Sequence, residues 1–387
     1  TSVITMIFWS FGFLRMGTVG LVAQALGRGD YREIVMTTIR NLCIALIIGF
    51  FIFFLKNPII SVVNSFFNAS DEVHLLINKY ISIRALAAPA ELSLYVITGL
   101  FLGLQMTKTS SFMIIFFCST NILLSIYFVK NLNLDIYGVA LGTTLSAYLT
   151  YFIFLSYAYY FIKKKFNLNP KIYRIFSFKK ITKLFHINFD IFIRTLLLTF
   201  SFTWFIFQST KLGEDYLAIN TILLQFVIIS SFFLDAYAFA TEGVVGYSVG
   251  KKIKKSFLHV VKSSFKLSFI TGLIISLIYI FSFKYLINTL TDIDYLRYLS
   301  YGFAMWVILI PPIASFCYQY DGIFVGASQT KEMRNGMIIS VIVYIYFSIM
   351  LVEVFNNHGL WLSLMIFMII RSLTLKFYFP NILKKLQ

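Results

Sequence analysis

Five carboxylates in this sequence stand inside long apolar stretches, where an ionised group has little water to hold its charge. Asp235 lies in "FFLDAYAFATEG", and Glu242 follows at i+7, on nearly the same helical face. Asp321 lies in "QYDGIFVG", nine residues after Pro312. Glu91 comes two residues after Pro89 and is the only acid deep in the first half. Asp190 precedes Arg194 by four residues, a spacing and order that favour pairing on one helix face. Two further arginines, Arg15 and Arg371, also sit deep in apolar segments. Charges at bilayer depth are costly and mark ion or substrate paths by default.

Two chemistries fit such carboxylates. One or more of them binds a proton or Na⁺ in competition with a cationic substrate, or each is a structural group hydrogen-bonded to a neighbouring helix. Both readings stay open for Asp235, Asp321 and Glu91. Glu242, near a span end, fits the structural one better, as does the Asp190–Arg194 pair. Arg15 is expected to pair with a group on a neighbouring helix. Pro89 and the Pro311–Pro312 pair are expected to interrupt equivalent helices, freeing backbone groups of the kind that line substrate cavities. The 44 Phe and 24 Tyr supply rings for cation–π contacts as well as plain lipid-facing surface.

Catalysis and metal binding find no footing. His74, His186, His259 and His358 lie near span ends or in loops, and no H-E-x-x-H, G-x-S-x-G or P-loop pattern occurs. Cys43, Cys118 and Cys317 fall in apolar spans without metal-like neighbours. The sequence therefore predicts no metal and no cofactor beyond a coupling H⁺ or Na⁺, and no ATP-driven pump.

The elements that must carry these residues are membrane helices. Of 387 residues, 59% are hydrophobic and 13% charged, with a mean hydropathy of +0.82. Soluble domains carry about 25% charged residues, so the apolar excess must face lipid. The net charge of +17 does not indicate nucleic acid, because the basic residues occupy short loops between apolar runs. Eleven spans of roughly membrane-crossing length are expected, five before a basic segment and six after it. That segment, residues 163–183, separates a first lobe (1–162) from a second (184–387). Basic loops at Arg28, Arg32 and Arg40, at Lys251, Lys252, Lys254 and Lys255, and at Lys331 and Arg334 alternate with acidic ones at Asp71, Asp135, Glu214, Asp292 and Glu353. The positive-inside bias then places the C-terminus in the cytoplasm.

The chain also repeats itself. "GLFLGLQMTK" (99–108) is echoed by "GIFVGASQTK" (322–331), and "TVGLVAQALG" (18–27) by "TEGVVGYSVG" (241–250), both 223 residues apart. Pro89 and Pro312 share that spacing, and "YGVALG" (137–142) resembles "HGLWLS" (358–363) at 221. Six spans fit within the period, so the copies have the same orientation and form a parallel repeat. The fold class expected is an all-α integral membrane protein of two parallel-repeat lobes of six helices. Because the sixth span opens the second copy, its partner would lie before Thr1, and a first helix is expected to be missing.

Five stretches, "LRMGTVGLVAQALGRGD", "FDIFIRTLLL", "LDAYAFATEGVVGYSVGK", "DGIFVGASQTKEMRN" and "NNHGLWLSLMIFMIIRSLTL", resemble the DinF-like branch of the multidrug and toxic compound extrusion (MATE) family, in order and along essentially the whole chain. The resemblance covers Arg15, Gln24, Gly27, Pro89, Gly103, Asn121, Asp190, Arg194, Asp235, Glu242, Asp321, Gly326, Arg334, Asn335 and Arg371. It implies twelve helices in two lobes and antiport of organic cations against H⁺ or Na⁺. Two departures stand out. The resemblance implies a first helix with a coupling aspartate, which is expected to be missing ahead of Thr1, and the family's N-x-x-x-D reads "NILLS" here, so Ser125 replaces the acid that follows Asn121. Glu91, on the adjoining helix, is the group that could supply the missing charge. The expectation is a monomeric exporter of small organic cations or other amphipathic compounds, working by alternating access in a bacterial inner membrane. A lipid or lipid-linked oligosaccharide flippase is the alternative, and a membrane-embedded enzyme a more distant one.

Overall fold

In hydrocarbon each unpaired backbone amide or carbonyl is costly, so a chain this apolar must satisfy its backbone within helices. The computed structural model describes residues 2–66, 70–166 and 177–386, and every regular element among them is an α-helix. Residues 167–176 of the expected basic linker lie outside the described residues. Nine helical stretches among the described residues are long and apolar enough to cross a membrane, with Ile4–Arg28 taken as one, or ten with one bent pair counted as a single span.

Two compact units, Thr1–Phe192 and Ile193–Gln387, divide the chain inside helix α9 (Phe178–Lys211). In the first unit α2 (Phe13–Arg28) and α3 (Tyr31–Phe54) flank α6 (Ala88–Gly103), while α7 (Thr107–Lys130) pairs with α8 (Asp135–Phe166). In the second, α10 (Glu214–Gly250) and α11 (Lys254–Leu290) flank α13 (Ala304–Gly326) in the same way. The counterpart of the α7–α8 pair is α14 (Thr330–Lys384), two helices joined at Asn356, where φ is 49°. The membrane-length count enters α14 once. Shorter helices complete the set: α1 (Ser2–Ser10), α4 (Lys56–Phe66) and α5 (Asp71–Leu86) in the first unit, α12 (Asp294–Tyr301) in the second.

The sequence echo is a structural repeat. Left-handed backbone recurs at the 223-residue spacing: Gly29 and Lys252 (72° and 55°), Gln105 and Ser328 (60° and 51°), Asn133 and Asn356 (52° and 49°). Each pair ends a helix at the same place in its copy. Close helix crossings recur as well. A Cβ on Gly49 would stand 2.5 Å from the Pro89 Cα, and one on Gly272 would stand 2.9 Å from the Pro312 Cα. A Cβ on Gly103 would meet the Val19 carbonyl at 2.9 Å, and one on Gly326 the Glu242 carbonyl at 2.5 Å. Small residues at such positions let backbones approach, which is how helices gain packing energy where lipid competes for apolar contact.

The prolines do not behave alike, and here the expectation is corrected. Pro89 stands at a break: α5 stops at Leu86, α6 starts at Ala88, and the two bend by 46°. Pro311 and Pro312 lie inside the continuous α13. Pro89 stands in the first turn of α6, where a missing N–H has no intrahelical partner to lose, whereas Pro311 and Pro312 each remove an interior bond. Proline at 312 has no N–H for the Ile308 carbonyl, and Ser276 of α11 donates to that carbonyl at 2.5 Å instead. At the first-unit break the exposed carbonyls are served from α8: Thr144 donates to Ile83 O at 3.2 Å and Tyr148 to Leu86 O at 2.9 Å.

Candidate functional site

The second unit gathers its charges around Asp321. This carboxylate, on α13, accepts from Arg194 of α9 and from Arg371 of α14, the latter at 2.7 Å, so one acid ties three helices. All three residues are at least nine-tenths buried. Arg371 also lies over the Tyr318 and Phe367 rings, at 5.9 and 5.4 Å, and points Nη1 at the Met368 sulfur, 3.5 Å away. The Nε–H groups of both arginines are buried and reach no acceptor among the described residues. Asp235, half-buried on α10, acts electrostatically on Tyr318 and Cys317 and so belongs to the same neighbourhood. A carboxylate shared by two guanidiniums in low dielectric is a charge-sensitive joint, because neutralising it leaves two buried cations facing one another.

The first unit builds a smaller joint at its helix break. Arg84 occupies the last turn of α5 and Glu91 the first turn of α6, and they meet at 2.5 Å. The break places a cation at a helix C-terminus and an anion at an N-terminus, where each opposes the local end of the helix dipole. The Arg84 guanidinium also lies 5.3 Å over the Phe8 ring. Tyr95, one turn beyond Glu91, is within electrostatic reach of Glu91, Arg84 and Arg15.

The remaining expected residues divide into several places. Asn121 accepts from Ser125 at 3.0 Å and from Thr143 at 3.2 Å, so the i,i+4 contact is made by a hydroxyl. Gly142 brings α8 against Ser125, its would-be Cβ 2.8 Å from the Ser125 amide. Glu242 is buried on α10 and engaged, two turns from Asp235. Arg15, Gln24 and Asp190 are likewise engaged, with Arg15 and Asp190 buried. Arg194 extends to Asp321 on α13, a partner that its spacing from Asp190 did not suggest.

Sequence reasoning missed Arg84, Tyr95, Thr143 and Tyr318. A signal existed for two of them. Arg84 precedes Glu91 by seven residues across a proline, and Tyr318 precedes Asp321 by three. Thr143 and Tyr95 carry no such mark, since their partners are fixed by helix packing.

The MatE family model matches residues 1–127 and 191–354. Over 363 residues the chain is 29% identical to the DNA damage-inducible protein F of Escherichia coli (strain K12), covering 94% of this chain and 79% of that protein. It is 27% identical to the Protein DETOXIFICATION 43 of Arabidopsis thaliana over 299 residues, 77% of this chain. The chain spans about half the length of that plant relative, 55%. Among solved structures, the outward-facing conformation of a multidrug resistance MATE family transporter of the MOP superfamily superposes with a TM-score of 0.90, at 16% identity, over 100% of this chain and 88% of the other. A MOP superfamily transporter from Pyrococcus furiosus, described as having a reverse polarity of its binding pocket, gives 0.87 at 17% identity, over 100% and 86%.

Proposed function

We propose that this chain, which belongs to the multidrug and toxic compound extrusion (MATE) family, exports a small organic cation or other amphipathic compound in exchange for H⁺ or Na⁺. As a family member it is a multi-pass membrane transporter and not an enzyme. The family match speaks for extrusion of small compounds over the flippase alternative. The finer reading has eleven crossings, a cytoplasmic C-terminus, a bacterial inner membrane and a monomer working by alternating access of two lobes.

One observation carries the coupling: each unit sets a carboxylate against buried guanidinium partners inside apolar helices, the buried Asp321 with Arg194 and Arg371, the half-buried Glu91 with Arg84. A proton or Na⁺ arriving at either carboxylate removes the charge that holds the arginines. The helices they belong to then have a second arrangement available. Coupling requires the ion to prefer one arrangement and the substrate the other, since a ligand shifts an equilibrium only by its differential affinity. Asp235, beside Tyr318, is the neighbouring acid to which a cationic substrate or Na⁺ would go. Asn121 with Ser125 forms a neutral polar contact in the first unit, so the ion-responsive role there is assigned to Glu91, which faces Arg84 across the helix break.

The test is movement of a fluorescent cationic dye in vesicles containing the purified protein, under imposed proton or sodium gradients. Gradient-driven movement is expected, with Asp321→Asn and Glu91→Gln each abolishing the coupling while dye binding remains. Movement indifferent to both gradients would sink antiport. Intact coupling in Glu91→Gln would remove Glu91 from the mechanism and leave Asp321.

A further inference from the structure

Where α3 begins, beside the first turns of α9, a cavity of about 190 Å³ opens at the level of the basic loops. Arg28, Arg40, Lys180 and Lys183 line it, with the carboxylates Asp30 and Glu33. Both acids are already occupied. Glu33 is held by Arg40 at 3.0 Å and by Lys180, while Asp30 caps α3 by accepting the Glu33 amide at 3.0 Å. Arg28 and Lys183 are exposed, and no carboxylate among the described residues is bonded to either. The cavity therefore carries four cations against two carboxylates, and Arg28 and Lys183 are the two with no acid bonded to them among the described residues.

We propose that this cavity binds the phosphate of an anionic phospholipid headgroup. Two features favour a lipid over a soluble phosphate. Leu21 and Leu184 line the same space, giving an apolar wall beside the cations, as an amphiphile needs. The flank of α9 next to it turns Phe178, Phe185 and Phe189 outward, all three exposed, so this end of the helix lies along the membrane rather than in open water. Basic cavities between membrane helices at this depth suit lipid phosphates.

The repeat supplies an internal control. At 223 residues' spacing, Asp30, Glu33, Thr37 and Arg40 correspond to Ile253, Ser256, Val260 and Ser263. Only Arg28 keeps its charge, as Lys251. The same helical corner in the second unit thus forms without the two carboxylates and without Arg40, with Ser248 and Ser256 hydroxyls 3.2 Å apart, and its cations are Lys251, Lys252, Lys254 and Lys255. The Asp30, Glu33 and Arg40 set of the first unit is therefore not a requirement of the fold, and the inference stands independently of the antiport reading.

Native mass spectrometry of the purified protein in detergent, titrated with phosphatidylglycerol and with phosphatidylcholine of the same acyl chains, tests it. Phosphatidylglycerol is expected to bind more tightly, by about five-fold for each uncompensated cation. The double variant R28Q/K183Q should bind both lipids equally, while K251Q/K252Q should keep the preference. R28K/K183R should also keep it, and the single variants R28Q and K183Q, each expected to lose about five-fold, carry the test if the double variant does not purify. A preference that survives R28Q/K183Q, or one lost equally in K251Q/K252Q, overturns the proposal. Displacement of the lipid by an equal concentration of inorganic phosphate would make the cavity a soluble-anion site and overturn the lipid assignment.

Discussion

Gly103 and Gly326 touch equivalent helices at equivalent positions, yet five residues before them the two units differ: Thr98 stands where the second has Asp321. The same holds in the other direction. Glu91 and Arg84 of the first unit correspond to Ala314 and Val307, and Arg15 to Ala238. Asp235 corresponds to Gly12. The two copies therefore share where helices end and where backbones cross, and share almost none of their intramembrane charge. Backbone crossings are fixed by sterics that any working copy must satisfy, whereas a buried ion pair survives only where its own partners are present. Each unit has built a different ionic joint on one scaffold, and the joints differ in kind: a broken helix with one pair, against a continuous helix with a carboxylate shared by two arginines.

The sharpest way to probe that contrast is to remove the acids. Asp321→Ala strands two buried guanidiniums and is expected to cost about 3–5 kcal/mol, with Glu91→Ala costing less because only Arg84 is left behind. Thermal unfolding in detergent, followed by tryptophan fluorescence, gives the order. Equal losses would mean that the two joints bear the same strain despite their different composition. The shared scaffold makes the opposite forecast. Gly103→Ala and Gly326→Ala each force a methyl onto a neighbouring backbone carbonyl, and should lower stability by a similar amount, about 1–3 kcal/mol in each unit. A loss confined to one unit would break the equivalence of the crossings.

Smaller effects test the proline difference. Ser276→Ala leaves the Ile308 carbonyl without its donor and is expected to cost about 1 kcal/mol and to increase amide exchange around Pro311 and Pro312. An unchanged exchange pattern there would show that the hydroxyl does not hold α13 together. The smallest effect is at the helix ends. Lys252→Gly should stabilise by up to about 1 kcal/mol, because lysine strains at φ 55° where glycine does not, and Gly29→Ala should destabilise by a like amount. Opposite signs at the two positions in thermal unfolding are the result to look for.

Much of the scaffold was legible before any coordinates. The helix ends at Gly29 and Lys252 follow motifs that recur at 223 residues, and the all-helical membrane class follows from composition. The site was legible only in its members. Asp321, Arg194 and Arg371 each stood out as charges in apolar surroundings, but their association did not. Arg194 has an acid four residues away, and local spacing pointed there. The structure takes it to Asp321, 127 positions along the chain. Arg84 lies near a span end, where a lone arginine is ordinary, and only the break at Ala87 places it opposite Glu91.

The amino-acid sequence by itself determined what depends on near neighbours: helices from unbroken apolar runs, their ends from Gly, Asn and basic loops, and the doubling of the whole from its repeated motifs. The tertiary structure alone decided which charges meet, and whether a proline breaks its helix. The charges meet groups brought from other helices, as the two guanidiniums do at Asp321, and the carbonyls freed near the prolines are met the same way, by Ser276 in one unit and by Thr144 and Tyr148 in the other. Inside a membrane, where water cannot stand in for a missing partner, such distant groups settle the cost of every buried charge and every freed carbonyl.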